Sequence, residues 1–168
     1  MGVGVVRRAI AQGWTVRATA GPVPEHLASA LTGVAAVAAS VPGVVHLDLL
    51  AAGLIPDPHL DLNESLLTWI GLVDWTYGTT LPMTAAELAA AERHEIVFDG
   101  LDTVATVLLN GQVIAEVANQ HRTHRLDVTG ILIEGDNLLE VRFRSPVKYA
   151  NAQSLTYGAR PGPYPMPF

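Results

Sequence analysis

Between residues 96 and 144 apolar and polar positions alternate in short runs separated by turn-forming residues. Residues 103–109 and 112–117 flank Asn110-Gly111. Asn-Gly between two β-prone runs predicts a two-residue type I′ hairpin, because both residues tolerate the positive φ that such a turn requires. Further on, Leu139, Val141 and Phe143 alternate with Glu140, Arg142 and Arg144, the period of a strand with one buried face. Residues 125–128 predict another strand, followed by a turn at Glu134-Gly135-Asp136-Asn137. Short strands at this spacing favour a β-sandwich over a parallel sheet.

The rest of the chain fits around that segment. Trp14, Val16 and Ala18 alternate with Thr15, Arg17 and Thr19, predicting a first strand. Residues 27–40 are mostly alanine, valine and leucine with an ambiguous period, compatible with a short helix or a buried strand. A loop plus a short strand is the favoured expectation there. Residues 44–52 place Val44, Leu47 and Ala51 at helical spacing, with Gly53 where a C′ glycine belongs, so a short helix is predicted. Val73, Trp75, Tyr77 and Thr79 share one parity, giving a strand over at least residues 72–80 that Pro82 is expected to end. Thr84-Ala85-Ala86-Glu87 has the form of a capping box opening a helix of one or two turns through Arg93. After Pro146 no periodicity remains, and residues 158–168 hold four of the chain's eleven prolines. The expected organisation is a lead-in over 1–12, one sandwich domain over 13–147 and a Pro-rich extension over 148–168, leading towards a further domain.

Composition narrows the function classes. The 168 residues are 49% apolar and 15% charged, far from a disordered composition, and are enough to bury a core. A net charge of −6 without a basic run argues against nucleic-acid binding. There is no cysteine, so neither disulfides nor thiolate metal sites hold this fold. Val3–Val6 precede Arg7-Arg8, the reverse of a secretory signal, and the apolar run 34–45 is too short to span a bilayer. A cytoplasmic protein without membrane contact is the expectation. Gly2-Val3-Gly4 lacks the Lys-Ser/Thr of a phosphate loop, and no Gly-x-Ser-x-Gly elbow occurs.

Ordered blocks along the chain carry a family resemblance. They are Val41-Pro42-Gly43-Val44-Val45-His46-Leu47-Asp48-Leu49, Gly53-Leu54-Ile55-Pro56-Asp57-Pro58, Asn63-Glu64, and Trp69-Ile70-Gly71 with Asp74-Trp75. Phe98-Asp99-Gly100-Leu101-Asp102-Thr103-Val104-Ala105, Leu109-Asn110-Gly111, Asn119 with His121-Arg122, and Phe143-Arg144-Ser145-Pro146-Val147 follow. From about Gly13 onward the chain resembles the N-terminal domain of family 2 glycoside hydrolases, most specifically the β-mannosidase branch. Leu81, where an aromatic is usual, and Gln120, where methionine is usual, are small departures. The resemblance implies an all-β jelly-roll β-sandwich of galactose-binding-domain type with one or two short helices. In the family this domain precedes immunoglobulin-like domains and a (β/α)8 barrel, whose two glutamates hydrolyse terminal β-mannosides with retention. Such a mechanism holds its two carboxyls about 5–5.5 Å apart. The barrel, both glutamates and a Trp-Asp-Trp-Gly segment are expected beyond Phe168, so this chain alone is expected to be inactive.

Several residues invite a chemical role, each with a structural alternative. Trp69 could stack on a sugar ring, with Asn63 and Glu64 supplying polar contacts, as a free-standing carbohydrate-binding module would require. Trp75 and Tyr77 lie on the apolar parity and are expected in the core. By analogy with the family, Pro42-Gly43 and His46 would face the catalytic domain of the same chain, and a β-mannoside or manno-oligosaccharide would be met there. The third possibility is a purely structural interaction domain with an exposed apolar face. Asp99 and Asp102 read as turn residues, and Asp74 as the holder of a structural partner. His121 and His124 lie three apart in an extended segment and point to opposite faces, so no metal or other cofactor is expected.

Overall fold

The computed structural model describes residues 4–158. The Pro-rich segment 159–168 and residues 1–3, with most of Gly2-Val3-Gly4, lie outside the described residues. Strands β1 (Thr15–Ala20), β2 (Val37–Ala38), β3 (Asp74–Met83), β5 (Val104–Leu109), β6 (Gln112–Ala118) and β8 (Gly135–Phe143) form a six-stranded antiparallel sheet. Its spatial order is β2-β1-β3-β8-β5-β6. Strands β4 (Glu95–Phe98) and β7 (His124–Asp127) make a second, two-stranded sheet.

Register turns the alternation into a core. Val16 pairs with Tyr77, Tyr77 with Val141, and Val141 with Val107, so one inward row crosses four strands. The neighbouring row is Ala18, Trp75, Phe143 and Ala105. Asn110 at φ 52° and Gly111 at φ 79° make the positive-φ turn between β5 and β6 that Asn-Gly predicts.

The cover over this inward face comes in two parts. Over one half, Ile96, Leu101 and Val128 from the small sheet and its loops pack on Trp14, Val107, Leu109, Leu139 and Val141. Over the other half the cover is helical. Helices α1 (Glu25–Leu31), α2 (Val45–Ala51) and α3 (Asn63–Leu66) and the 3₁₀ turn Thr68–Leu72 belong to it. They bring Leu27, Leu31, Leu49, Leu67 and Ile70 onto Val16, Ala18 and Trp75. Each such side chain taken from water contributes about 1.5–3 kcal/mol. The fold is thus the expected antiparallel sandwich, with helices replacing half of its second sheet.

Five local expectations are corrected. Helix α1 stands where a loop was favoured, because Leu27 and Leu31, one helical turn apart, both reach the core; the short strand β2 follows it as expected. Helix α2 forms with Gly53 at φ 68°, but its buried face is Val45, Asp48 and Leu49, not the Val44–Leu47–Ala51 stripe. Strand β3 runs through Pro82 to Met83. Beyond Gly78 it has lost β1 as a neighbour, and the Pro82 carbonyl faces Arg8 (3.3 Å) instead of β8, so no ladder bond is missed. The Thr84 capping box is present, yet α4 (Ala85–Ala89) stops short of Arg93, which pairs instead with Glu95 and Asp127 of the small sheet. Where the pattern dissolves, Ser145 caps and Pro146 opens helix α5 (Pro146–Tyr157). Val147 of α5 rests against Gly71.

Candidate functional site

Helix α2 carries His46. Val45 and Leu49 face the core, while Val44 and Leu47 are left 54% and 60% exposed. His46 is half-buried, and this loss of water holds its imidazole pKa below the usual value, so the ring is mainly neutral at pH 7. Next to it, Asp48 is buried and doubly held: one carboxylate oxygen accepts the Ser40 N–H (2.8 Å), the other the Tyr77 hydroxyl (3.0 Å). Burial first, and then the charge of Asp48 and its hydrogen bond, push the Tyr77 phenol far above its ordinary range. This pair ties the segment around Pro42-Gly43 to the centre of the large sheet. Sequence reasoning passed over Asp48, although an acid inside the mostly apolar run Val45–Ala51 is the signal that could have found it.

The other candidates come from α3 and the turn after it. Asn63 donates its side-chain amide to the Asp57 carbonyl (2.9 Å), so it clips the rigid loop around Pro56 and Pro58. Glu64 is exposed. Trp69 is half-buried, its ring tilted 47° against Trp75 with centroids 6.1 Å apart. One face of Trp69 therefore supports the core. Trp75 is buried as expected and donates from its indole to the Ile70 carbonyl (3.0 Å).

His46 and Trp69 thus lie on the same helical cover, in segments that pack on one core cluster. Exposed Val44 and Leu47 flank His46, and exposed Leu62 and Leu66 flank Asn63 and Glu64. Helices α2 and α3 thus each leave apolar side chains exposed beside a few polar groups. Two shallow grooves, of about 400 and 370 Å³, involve the opposite, outer face of the large sheet.

The remaining candidates fall to structural roles. Asp74 accepts the Ser145 N–H (2.8 Å), while the Ser145 hydroxyl donates to the Gly71 carbonyl (2.6 Å), joining β3 to the start of α5. Asp99 and Asp102 are exposed in the connection between β4 and β5. Among the described residues no group of three or more His, Cys, Asp or Glu is placed to hold a metal. No helix of the described residues is long and apolar enough to cross a membrane.

Comparison with known proteins places this geometry. Beta-mannosidase B of Thermothelomyces thermophilus is 46% identical over 104 residues, which is 62% of this chain and 12% of that protein. Beta-mannosidase of Rattus norvegicus is 39% identical over 121 residues, 71% of this chain and 13% of that protein. The crystal structure of the beta-D-mannosidase from Dictyoglomus thermophilum superposes with a TM-score of 0.80 at 31% identity, over 92% of this chain and 18% of that one. An exo-chitosanase from Amycolatopsis orientalis, at 23% identity and a TM-score of 0.64, shares the fold. The chain therefore spans about an eighth of the length of these two curated relatives. The family described as glycosyl hydrolase 2 galactose-binding domain-like matches residues 14–166, and with a sheet and cover of this form the chain belongs to that family.

Proposed function

We propose that this chain serves as the N-terminal, non-catalytic sandwich of a retaining β-mannosidase acting on terminal β-D-mannosides. The observation that carries the proposal is the match, over most of this chain, to the small part of several beta-mannosidases that it covers. Its role is architectural. The exposed Val44, Leu47, Leu62 and Leu66 offer apolar surface for a downstream catalytic domain of the same polypeptide, and in this reading His46, Asn63, Glu64 and Trp69 are the residues assigned to the edge of the substrate site. Sites for chemistry are grafted on such folds and do not follow from them, so the hydrolysis itself is assigned to that downstream domain.

The test uses the purified 168-residue chain and the gene product at the length of its relatives, both with p-nitrophenyl β-mannoside. The short chain is expected to give no turnover, and the long product to hydrolyse the substrate. Turnover by the short chain that withstands an inactive-preparation control overturns the division of labour. A long product that ignores β-mannosides overturns the substrate. Light scattering adds a second readout: the isolated chain should self-associate with rising concentration, and Leu47→Ser with Leu66→Ser should suppress this.

Trp69 favours one further reading, direct glycan binding by this domain, because its ring is only half covered. Calorimetry with manno-oligosaccharides against wild type and Trp69→Ala tests it; absence of heat at millimolar ligand rejects it.

A further inference from the structure

The outer face of the large sheet carries a feature that the family membership does not use. In an antiparallel sheet with one solvated face, outward positions are normally filled by polar side chains standing side by side. Here the outward row across β1, β3 and β8 reads Thr15, Gly78, Glu140, so the middle strand contributes no side chain. The adjacent row, Arg17, Thr76 and Arg142, is filled. Gly78 therefore opens a notch between a hydroxyl and a carboxylate. The connection between α1 and β2 forms a wall beside it, with Val34 and Ala36 on the lining and Val34 fully exposed. The resulting groove, of about 370 Å³, is of small-molecule size.

Its polar groups are held in place. Glu140, with only 13% of its side chain exposed, receives Arg17 Nη2 at 3.5 Å on one oxygen and Arg142 Nη2 at 2.8 Å on the other. Arg17 also donates from Nη1 to the Gly33 carbonyl (3.1 Å), which fixes the guanidinium to the groove wall. The Thr15 hydroxyl donates to the Gly78 carbonyl (3.4 Å) and keeps its lone pairs for accepting, and Thr80 adds a second hydroxyl. The groove thus presents a carboxylate whose charge is already balanced, a guanidinium edge and hydroxyls, beside the apolar Val34, Ala36 and Leu138. The Arg17–Glu140 pair leaves the lining without net charge, which favours neither an anion nor a cation. Under a wholly apolar ligand the spare lone pairs of Glu140 and spare N–H groups of Arg17 would lose their water. Adjacent hydroxyls on one ring, each a donor and an acceptor, satisfy the set.

We propose that this notch over Gly78 is a binding site for a neutral saccharide, recognised through vicinal hydroxyls by Glu140, Arg17 and the threonines. It is independent of the surface around Trp69 and of the mannosidase assignment. The site is shallow and has no aromatic platform, so its affinity is weak, in the millimolar range.

Gly78 supplies the test. A Cβ built there meets nothing closer than the Leu139 carbonyl at 4.0 Å, and its φ is not positive, so the backbone accepts a side chain at Gly78, and Gly78→Val fills the notch. The 168-residue chain, labelled with ¹⁵N, is titrated with mannobiose, and in parallel with glucuronate. Mannobiose should shift the amides of Thr15, Arg17, Thr76, Gly78 and Thr80, and Gly78→Val should weaken binding by about tenfold or more with an unchanged melting temperature. Gly78→Ser, which fills less of the notch, stands in if the valine variant does not fold. No shift at these residues at tens of millimolar mannobiose overturns the proposal, as do shifts confined to the Trp69 surface or wild-type affinity in the glycine variants. Tighter binding of glucuronate overturns the neutral-ligand assignment. None of these outcomes bears on β-mannoside turnover by the long product.

Discussion

Replacing Asn137 by alanine should be among the most costly single changes in this domain. Asn137 lies in β8 opposite Leu81 and is fully buried. Its carboxamide oxygen accepts the Ile133 N–H and the Asn110 side-chain amide, both at 2.8 Å. Its nitrogen faces the carbonyls of Ile133 (2.8 Å), Gly135 (3.2 Å) and Leu81 (3.2 Å). An amide nitrogen has two hydrogens, so four full bonds are present, and alanine would leave buried backbone groups of the turn and of β3 without partners. At about 1 kcal/mol net per bond, with part of the loss recovered by relaxation, the expected destabilisation is about 3–4 kcal/mol. Against a typical total of about 5–15 kcal/mol this is a large fraction. Urea unfolding followed by circular dichroism measures it directly, with an unchanged m-value showing that the unfolded reference is intact. For a domain of this size the melting temperature should fall by about 6–16 °C. Asn110→Ala removes the side-chain bonds to Asn137, Ile131 and Leu138 and puts alanine at φ 52°. At an exposed turn water can replace the lost partners, so it should cost less than Asn137→Ala. A loss below about 1 kcal/mol for Asn137→Ala would refute the reasoning and mean that the buried network is replaceable.

Other expectations follow from the same geometry. Tyr77→Phe removes the donor to buried Asp48 and should cost about 1–2 kcal/mol in urea unfolding. Because the folded phenol's pKa is raised, its contribution is fully present below pH ~10 and is lost as pH climbs above that, so the wild type should show an alkaline decline that the phenylalanine variant lacks. At the other end of the scale, the Thr84 N–H and then its hydroxyl hold the Glu87 carboxyl below its ordinary range. The stability this gives is present above the ordinary carboxylate value and lost as pH falls through the lowered one, and Glu87→Gln, which removes the titrating group, should flatten that part of an acid titration. Gly111→Ala forces a Cβ onto φ 79° and should lower stability by about 1 kcal/mol, while the register of β5 with β6 is kept.

Much of this molecule was legible without coordinates where the signal is local. The Asn110-Gly111 hairpin, the alternation in β1, β3 and β8 and the Thr84 capping box each depend on residues a few positions apart, so their physics is contained in the sequence. The family blocks placed those strands in a known sandwich. The facing of α2 was not legible, because its residues are mostly apolar and several stripes fit equally well. Tertiary structure chose the face that sends Asp48 to the Tyr77 hydroxyl and the Ser40 N–H, and so exposed Val44 and Leu47. Asn137 reads as a turn residue and turned out to be a buried hub for the same reason: its partners at Leu81 and Asn110 are distant in sequence. The notch at Gly78 exists only because β1 and β8 set Thr15 and Glu140 on either side of it. Local chemistry determined which segments became strands, and long-range register decided which side chains meet, because pairing energy between distant residues is realised only once the sheet has brought them together.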